Sequence, residues 1–234
     1  ATVTRNSTTS FTATYTMSSP ADDAVDGSSI PINISAYTDA TGNTGTTVTA
    51  TTDGSAVTYD KTLPTLGTVT IASDNTYDHL ATTADVITLT IVSSENINTP
   101  TVSMLGATTG VTVTQGADAI NWTATKTVPG GHRDGTAAFN ITFADIAGNN
   151  GSAVTSLTGG AAVTVDKTVP TITTASIASN NSSGDELAVP GNIITLTIVA
   201  NEDIVEPTVS IATQSATVSI LSLIHISEPT RHRR

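Results

Sequence analysis

The sequence predicts an all-β protein assembled from sandwich modules of about one hundred residues each. The first of three observations is a repeat. Asp60-Lys61-Thr62-Leu63-Pro64-Thr65 returns as Asp166-Lys167-Thr168-Val169-Pro170-Thr171, 106 positions later. Ile87-Thr88-Leu89-Thr90-Ile91-Val92 returns as Ile194-Thr195-Leu196-Thr197-Ile198-Val199, 107 positions later. Such a period is too long for a solenoid repeat and suits one sandwich per copy. The second observation is composition. Thr supplies 49 of the 234 residues, and β-branched side chains lose rotamer freedom in helices but pack well on a pleated surface. The third is periodicity: apolar residues alternate with polar ones, and no stretch has a convincing 3.6-residue period. A Thr-, Ser-, Gly- and Asp-rich composition also suits disorder, but these alternating runs give small cores something to close around.

The period divides the chain. Residues 1–60 resemble the back half of a module, because Thr12-Ala13-Thr14-Tyr15-Thr16 matches Thr123-Ala124-Thr125-Lys126-Thr127 and the Asp39–Gly45 turn matches Asp145–Gly151. Residues 61–166 form a complete module, and 167–220 the front half of a third. In the complete copy the expected strands are Thr68–Ala72 (A), Val86–Ser93 (B), Thr101–Leu105, Val111–Thr114, Ile120–Thr127 and Ala138–Ala144 (F). A last strand (G) is expected as Val154–Leu157 with Ala162–Val165, interrupted at Gly159-Gly160. On strand B, Ile87, Leu89 and Ile91 share one face and Thr88 and Thr90 the other. About seven such strands in a hundred residues is the immunoglobulin-like, Greek-key count. The tail differs. Leu221–Arg234 carries three of the eight basic residues and two of the four His. Its first eleven residues read as the direct translation of an adapter used in transposon-based sequencing libraries, so 221–234 is expected to be read-through of non-biological origin. A basic tail that binds anions or membrane is the rival reading.

The formal charge is −12, with 8 basic against 20 acidic residues. An acidic surface repels nucleic acid and anionic lipid and favours divalent cations. Cys is absent, so packing, a metal or neighbouring modules must hold each sandwich together. No apolar run reaches the roughly 20 residues of a membrane-spanning helix. No secretory leader is present, and the chain reads as an internal piece of something longer.

Two motifs together point to a family. Asp145-x-x-Gly148-Asn149 is followed, after a Thr- and Gly-rich stretch, by Val165-Asp166-Lys167-Thr168-x-Pro170. The pair resembles the bacterial Ig-like repeats found in tandem in large surface adhesins and other secreted or cell-envelope proteins, and the resemblance covers residues 1–220. It implies an extracellular or cell-surface stalk whose nearest partners are neighbouring Ig-like modules. It also implies that calcium is the metal to look for at module junctions.

Enzymatic constellations are missing. His79 and His132 fall in expected loops, no Gly-rich phosphate loop joins a strand to a helix, and no paired carboxylates suggest glycosidase chemistry. Gly130-Gly131 and Gly159-Gly160 read as turns. Lys61 and Lys167 recur in register, as an isopeptide cross-link would require, but at a module boundary rather than on an inward position. The sequons at Asn121 and Asn140 are common in any Asn- and Thr-rich chain.

The strand ends carry the sharper expectation. In an Ig-like sandwich strands B and F run the same way, so the loops after them meet at one pole, where strand A begins. Glu95 follows B, Asp145 follows F and Asp60 precedes A. Three carboxylates from distant sequence should therefore converge at the junction, and calcium takes six to eight hard oxygens of this type. Asn149 and carbonyls of the 145–151 loop would complete the shell. Asp166 and Glu202, with Asp203, repeat the pattern at the next junction. The competing reading is that Asp145 simply caps its own turn through backbone N–H groups. The function expected is a structural spacer stiffened by calcium. The alternative is a module that contacts a surface glycan or protein through loops such as 74–84 and 128–135.

Overall fold

The computed structural model describes residues 1–17, 26–212 and 214–217, so the adapter-like tail at 221–234 lies outside them. These residues contain strands and turns and no helix, and no helix is long and apolar enough to cross a membrane. Two compact units divide between Asp166 and Lys167.

The first unit opens with a hairpin, β1 (Thr2–Arg5) and β2 (Phe11–Thr14). Residues 26–60 then run through isolated bridges such as Ile34↔Val48 and Thr38↔Thr44 rather than full strands. The body of the unit follows in chain order: β3 (Leu66–Ser73), β4 (Leu80–Ala81), β5 (Val86–Ser93), β6 (Thr101–Met104), β7 (Thr112–Gln115), β8 (Asn121–Thr127), β9 (Gly135–Thr136), β10 (Phe139–Thr142) and β11 (Thr164–Val165). One layer is a four-stranded antiparallel sheet in the order β3-β5-β8-β7. The opposing strands form the pair β10-β6 and the small set β4-β11-β9. Period-two alternation sends one face of each long strand inward. Ile87, Leu89 and Ile91 of β5 are completely buried, together with Val69, Ala124, Ile141, Val163 and Val165. Trp122 closes the core, its indole Nε1 donating to the Ala119 carbonyl at 3.0 Å.

The body has nine strands where about seven were expected, and the difference lies at the weak edges. The last strand is not built as the sequence suggests. Val154 makes a single bridge to Ile141, 155–157 form no ladder, and only Thr164–Val165 pairs, parallel to β4 and antiparallel to β9. The outer edge of β3 is instead met by Thr158. Its hydroxyl accepts from Val69 N at 2.8 Å and its N–H donates to Val69 O at 3.0 Å. Side-chain pairing and the Gly159-Gly160 pair replace the ladder there.

Lys126 is the unexpected core residue. It is buried on β8 among apolar side chains, and its Nζ donates to Met104 O at 2.7 Å and Ala107 O at 3.0 Å. Those two residues exchange backbone hydrogen bonds across a two-residue turn. Both central residues, Leu105 (φ 53°) and Gly106 (φ 80°), are left-handed, the geometry of a type I′ hairpin. Leu105 accepts that conformation at a cost, and the ammonium group tethers the turn that imposes it. Burial pushes the Lys126 pKa down.

The second unit contains β12 (Ile172–Ser179), β13 (Ile194–Ala200), β14 (Ser210–Ile211) and β15 (Gln214–Ser215). The β12–β13 register runs from Ile172↔Ala200 to Ser179↔Ile194. The β3–β5 register runs from Leu66↔Ser93 to Ser73↔Ile87. Each irregularity falls after the first pair, so the two hairpins coincide when numbering is shifted by 106 or 107. The hairpin β1–β2 coincides in the same way with β7–β8: Val3↔Ala13 corresponds to Val113↔Ala124, and Arg5↔Phe11 to Gln115↔Trp122.

Removing the Lys126 tether takes away the charged donor that the Met104 and Ala107 carbonyls share and leaves each with only the backbone bond it accepts from the other. We expect Lys126→Ala to destabilise the first unit by about 1–3 kcal/mol in urea unfolding, with Leu105→Gly adding to the loss, because the buried side chain it removes outweighs the relief of the turn.

Candidate functional site

The pole where β3 begins gathers acidic side chains from three places. Asp60 lies on the approach to β3, Glu95 just beyond β5, and Asp145 just beyond β10. One carboxylate oxygen from each lies within 4.8 Å of the others, with Asp60 and Glu95 half-buried and Asp145 buried. Among the described residues this is the one group of three or more potential metal ligands so arranged. The topology brings them together directly. Ile97 bridges to Asp145, Asn98 N donates to Ala144 O at 2.9 Å, and the Asn98 side chain donates to Asp145 O. The β5 and β10 exits are thereby tied to each other.

Asp145 does cap its own turn. Its Oδ1 accepts from Gly148 N at 2.7 Å and Asn149 N at 2.8 Å, and its Oδ2 accepts from Asn149 Nδ2 at 2.8 Å. Turn capping and membership of the cluster are therefore compatible, since an ionised carboxylate has about four acceptor positions. Burial on its own would raise the Asp145 pKa. The donors from Asn149, Gly148 and Ala147 outweigh it and hold the carboxyl below its ordinary value.

Glu95 is shifted the other way. Burial is the first cause, followed by the negative charges of Asp60, Asp145 and Asp26, and the carboxyl is raised above its ordinary value. Asp26 is a residue the sequence reading missed. Its Oδ1 accepts from Lys61 N at 2.8 Å, and its Oδ2 accepts from the Thr62 hydroxyl. The Thr62 and Lys61 donors hold its pKa below the ordinary value. The cue was available only in part: Asp26 lies 35 residues before Lys61, and nothing in its local sequence marks it as a partner of the junction.

Asn149 holds the turn through its carboxamide nitrogen. Its carboxamide nitrogen faces Asp145 Oδ2 and, at 3.3 Å, the Asp60 carbonyl, while its backbone oxygen accepts from Asp145 N at 3.0 Å. Through these bonds Asn149 positions the carboxylate of Asp145 and the chain at Asp60, and its carboxamide oxygen is the atom that a cation would use. The same turn stands at Asp39, where Asn43 N donates to Oδ1 at 2.8 Å and Asn43 Nδ2 to Oδ2 at 2.7 Å. An aromatic ring lies over glycine beside each turn. A Cβ on Gly151 would sit 2.2 Å from the Phe143 ring, and one on Gly45 would sit 2.0 Å from the Tyr37 ring.

The second expected set is divided between the units: Asp166 closes the first and Glu202 belongs to the second. One Glu202 carboxylate oxygen is buried without a hydrogen-bond partner. His79 and His132 stand apart from the acidic pole. His79 Nδ1 lies 3.4 Å from Asp78, and its ring meets Tyr77 edge-on at 6.3 Å between centroids.

No protein-family model, curated protein or solved structure matches the chain.

Asp145 carries three donors on a buried anion. Asp145→Asn turns one of its oxygens into a donor facing Asn149 Nδ2 or the two backbone N–H groups, and we expect a loss of about 1–3 kcal/mol in chelator-containing urea titrations.

Proposed function

We propose that the chain is a piece of a structural spacer, a run of Ig-like modules from a large extracellular or cell-surface bacterial protein. In this reading calcium at the Asp60–Glu95–Asp145 pole stiffens the entry to the complete module. The observation that carries the spacer reading is repetition with preserved detail. Two hairpins and two Asp turns recur in matching register, and a chain that repeats its scaffold rather than a pocket is suited to setting a distance.

The donor set fits calcium. Two oxygens on opposite sides of a calcium ion stand about 4.8 Å apart, at about 2.4 Å each, the upper limit of the spacing among these three carboxylates. A cation bound there supplies positive charge among groups that repel one another. Asp145 would offer the oxygen position left free by its turn, Glu95 would gain a counter-charge against the burial and repulsion that raise its pKa, and Asp60 would fix the incoming chain to the body. Asn149 holds the Asp145 carboxylate in place, and Asn98 holds the Asp145 backbone carbonyl. Stiffening follows because Asp60 belongs to the entering segment whereas Glu95 and Asp145 belong to the module.

The alternative, a module that contacts a glycan or protein, is favoured by one feature. In a chain with 3% aromatics, Tyr77 is 53% exposed on the 74–84 loop beside His79. Tyr77→Ala would then abolish retention on a glycan or protein surface while leaving the calcium response intact.

The spacer reading is tested by thermal unfolding of the full chain with calcium and with chelator. We expect a calcium-dependent rise in Tm, saturating with concentration as binding to the native state requires, and lost in Glu95→Gln. In chelator the same variant should melt higher than wild type, because it removes one of the repelling charges. A calcium response that survives Glu95→Gln would place the ion elsewhere, and no response at all would remove calcium from the reading.

The pH dependence has a fixed sign. A carboxyl raised in the folded state contributes stability that is present below its unfolded pKa and lost as pH rises through the folded one. Acidifying wild type in chelator from neutrality toward the ordinary Glu value of 4.5 should therefore yield a stabilising component that Glu95→Gln lacks. Asp145 opposes it only lower, as its own lowered pKa is approached.

A further inference from the structure

Strand β13 has a partner on one side, whereas its counterpart β5 has partners on both. Among the described residues β13 pairs with β12 alone, while β5 pairs with β3 and β8. Antiparallel backbones turn their N–H and C=O groups to alternate sides. Asn180 N donates to Ile193 O at 3.1 Å, and with the register Ser179↔Ile194 this turns Thr195, Thr197 and Val199 toward β12. Ile194, Leu196 and Ile198 therefore direct their backbone groups to the free edge. On β5 the matching residues are Ile87, Leu89 and Ile91, which face Lys126, Ala124 and Trp122 of β8. The β13 edge carries no charge or Pro between Ile194 and Ala200, and the one irregularity of its ladder falls at the end, on β12 between the partners of Val199 and Ala200, so Ile194–Ile198 lacks the usual devices that blunt an edge strand.

The chain also holds a hairpin shaped for that edge. β1–β2 has the register of β7–β8, and among the described residues it forms a two-stranded sheet of its own. Asn6 N donates to Ser10 O at 2.9 Å, so by the same alternation Thr4↔Thr12 and Thr2↔Thr14 are the hydrogen-bonded pairs. Phe11 and Ala13 direct their backbone groups away from β1, as Trp122 and Ala124 do toward β5. Phe11 is 59% exposed on this hairpin, whereas its counterpart Trp122 is 4% exposed in the body of the first unit. Phe11–Thr14 is uncharged too, so two strongly acidic chains can meet along these strands without pairing like charges.

We propose that β2 of a second copy of this chain adds to the free edge of β13, with Ala13 opposite Leu196 and Phe11 opposite Ile198. The product is a four-stranded sheet, β12-β13-β2-β1, in the order of β3-β5-β8-β7. The surfaces that meet are different patches of the molecule, so the contact is heterologous and either closes into a ring or runs on head to tail. The inference does not rest on the spacer reading or on calcium.

Sedimentation velocity of the full chain tests it, together with two variants. Ala13→Pro deletes the outward N–H of β2 and leaves the hydrogen-bonded pairs to β1. Leu196→Pro does the same on β13. Wild type is expected to grow in multiples of the monomer mass as concentration rises, while each variant alone stays monomeric. Their equimolar mixture is expected to form a dimer and stop there, because the first variant still offers β13 and the second still offers β2. That arm holds even if Leu196→Pro loosens its own hairpin, since only its β2 is needed. A wild type that is monomeric at every concentration overturns the proposal, whether the β13 edge stays open or is covered within one chain. A mixture that stays monomeric overturns it as well.

Discussion

Pairing on both sides of one central strand is the constraint on which the rest of the molecule depends. β5 is hydrogen-bonded to β3 and β8, and its inward side chains Ile87, Leu89 and Ile91 are fully buried. Three aliphatic side chains so placed contribute roughly 1.5–3 kcal/mol each through burial. The strand also fixes everything around it: β8 delivers Trp122 and Lys126 to the core, and the loop beyond β5 carries Glu95 to the pole. Among the described residues the same hexapeptide at 194–199 has one partner strand, and Ile194, Leu196 and Ile198 are only half-buried. Identical local sequence thus reaches two degrees of burial, so the coverage comes from the neighbours and not from the strand.

At the pole the opposite balance holds. Asp145 is comfortable as a buried anion because the turn donates to both of its oxygens. Glu95 is not, because it loses water on burial without such donors and three other carboxylates act on it besides. Hydrogen bonds fix one charge in place, and that fixed charge then penalises the next. An arrangement of this kind stores repulsion at the point where one module's entry segment meets the body, which is where a cation would have mechanical leverage. The turn that fixes Asp145 is repeated at Asp39 with the same Asn donor, so it serves the scaffold wherever it occurs.

Much of this was legible in the sequence. The bounds of β5 follow from alternation, and the meeting of Asp60, Glu95 and Asp145 follows from which strands run the same way. The remainder depended on information that no local pattern carries. Asp26 reaches Lys61 and Thr62 through the path of the chain between them. Asn149 turns its nitrogen to the Asp145 carboxylate and the Asp60 carbonyl because both ask for a donor. Lys126 reads as an ordinary polar position on a strand until the turn at Met104–Ala107 presents two carbonyls to it. The Val154–Leu157 segment alternates like a strand, yet it makes a single bridge to Ile141, and Thr158 meets the β3 edge through its hydroxyl and N–H.

Amide hydrogen exchange on dilute, monomeric full-length chain tests the coverage argument most directly. Leu89 and Ile91 should exchange only through unfolding of the first unit, while Leu196 and Ile198, identical in local sequence but open on one edge, should exchange orders of magnitude faster. Equal protection at the two sites in the monomer would contradict the account, because burial would then be set by the strand itself rather than by what pairs with it.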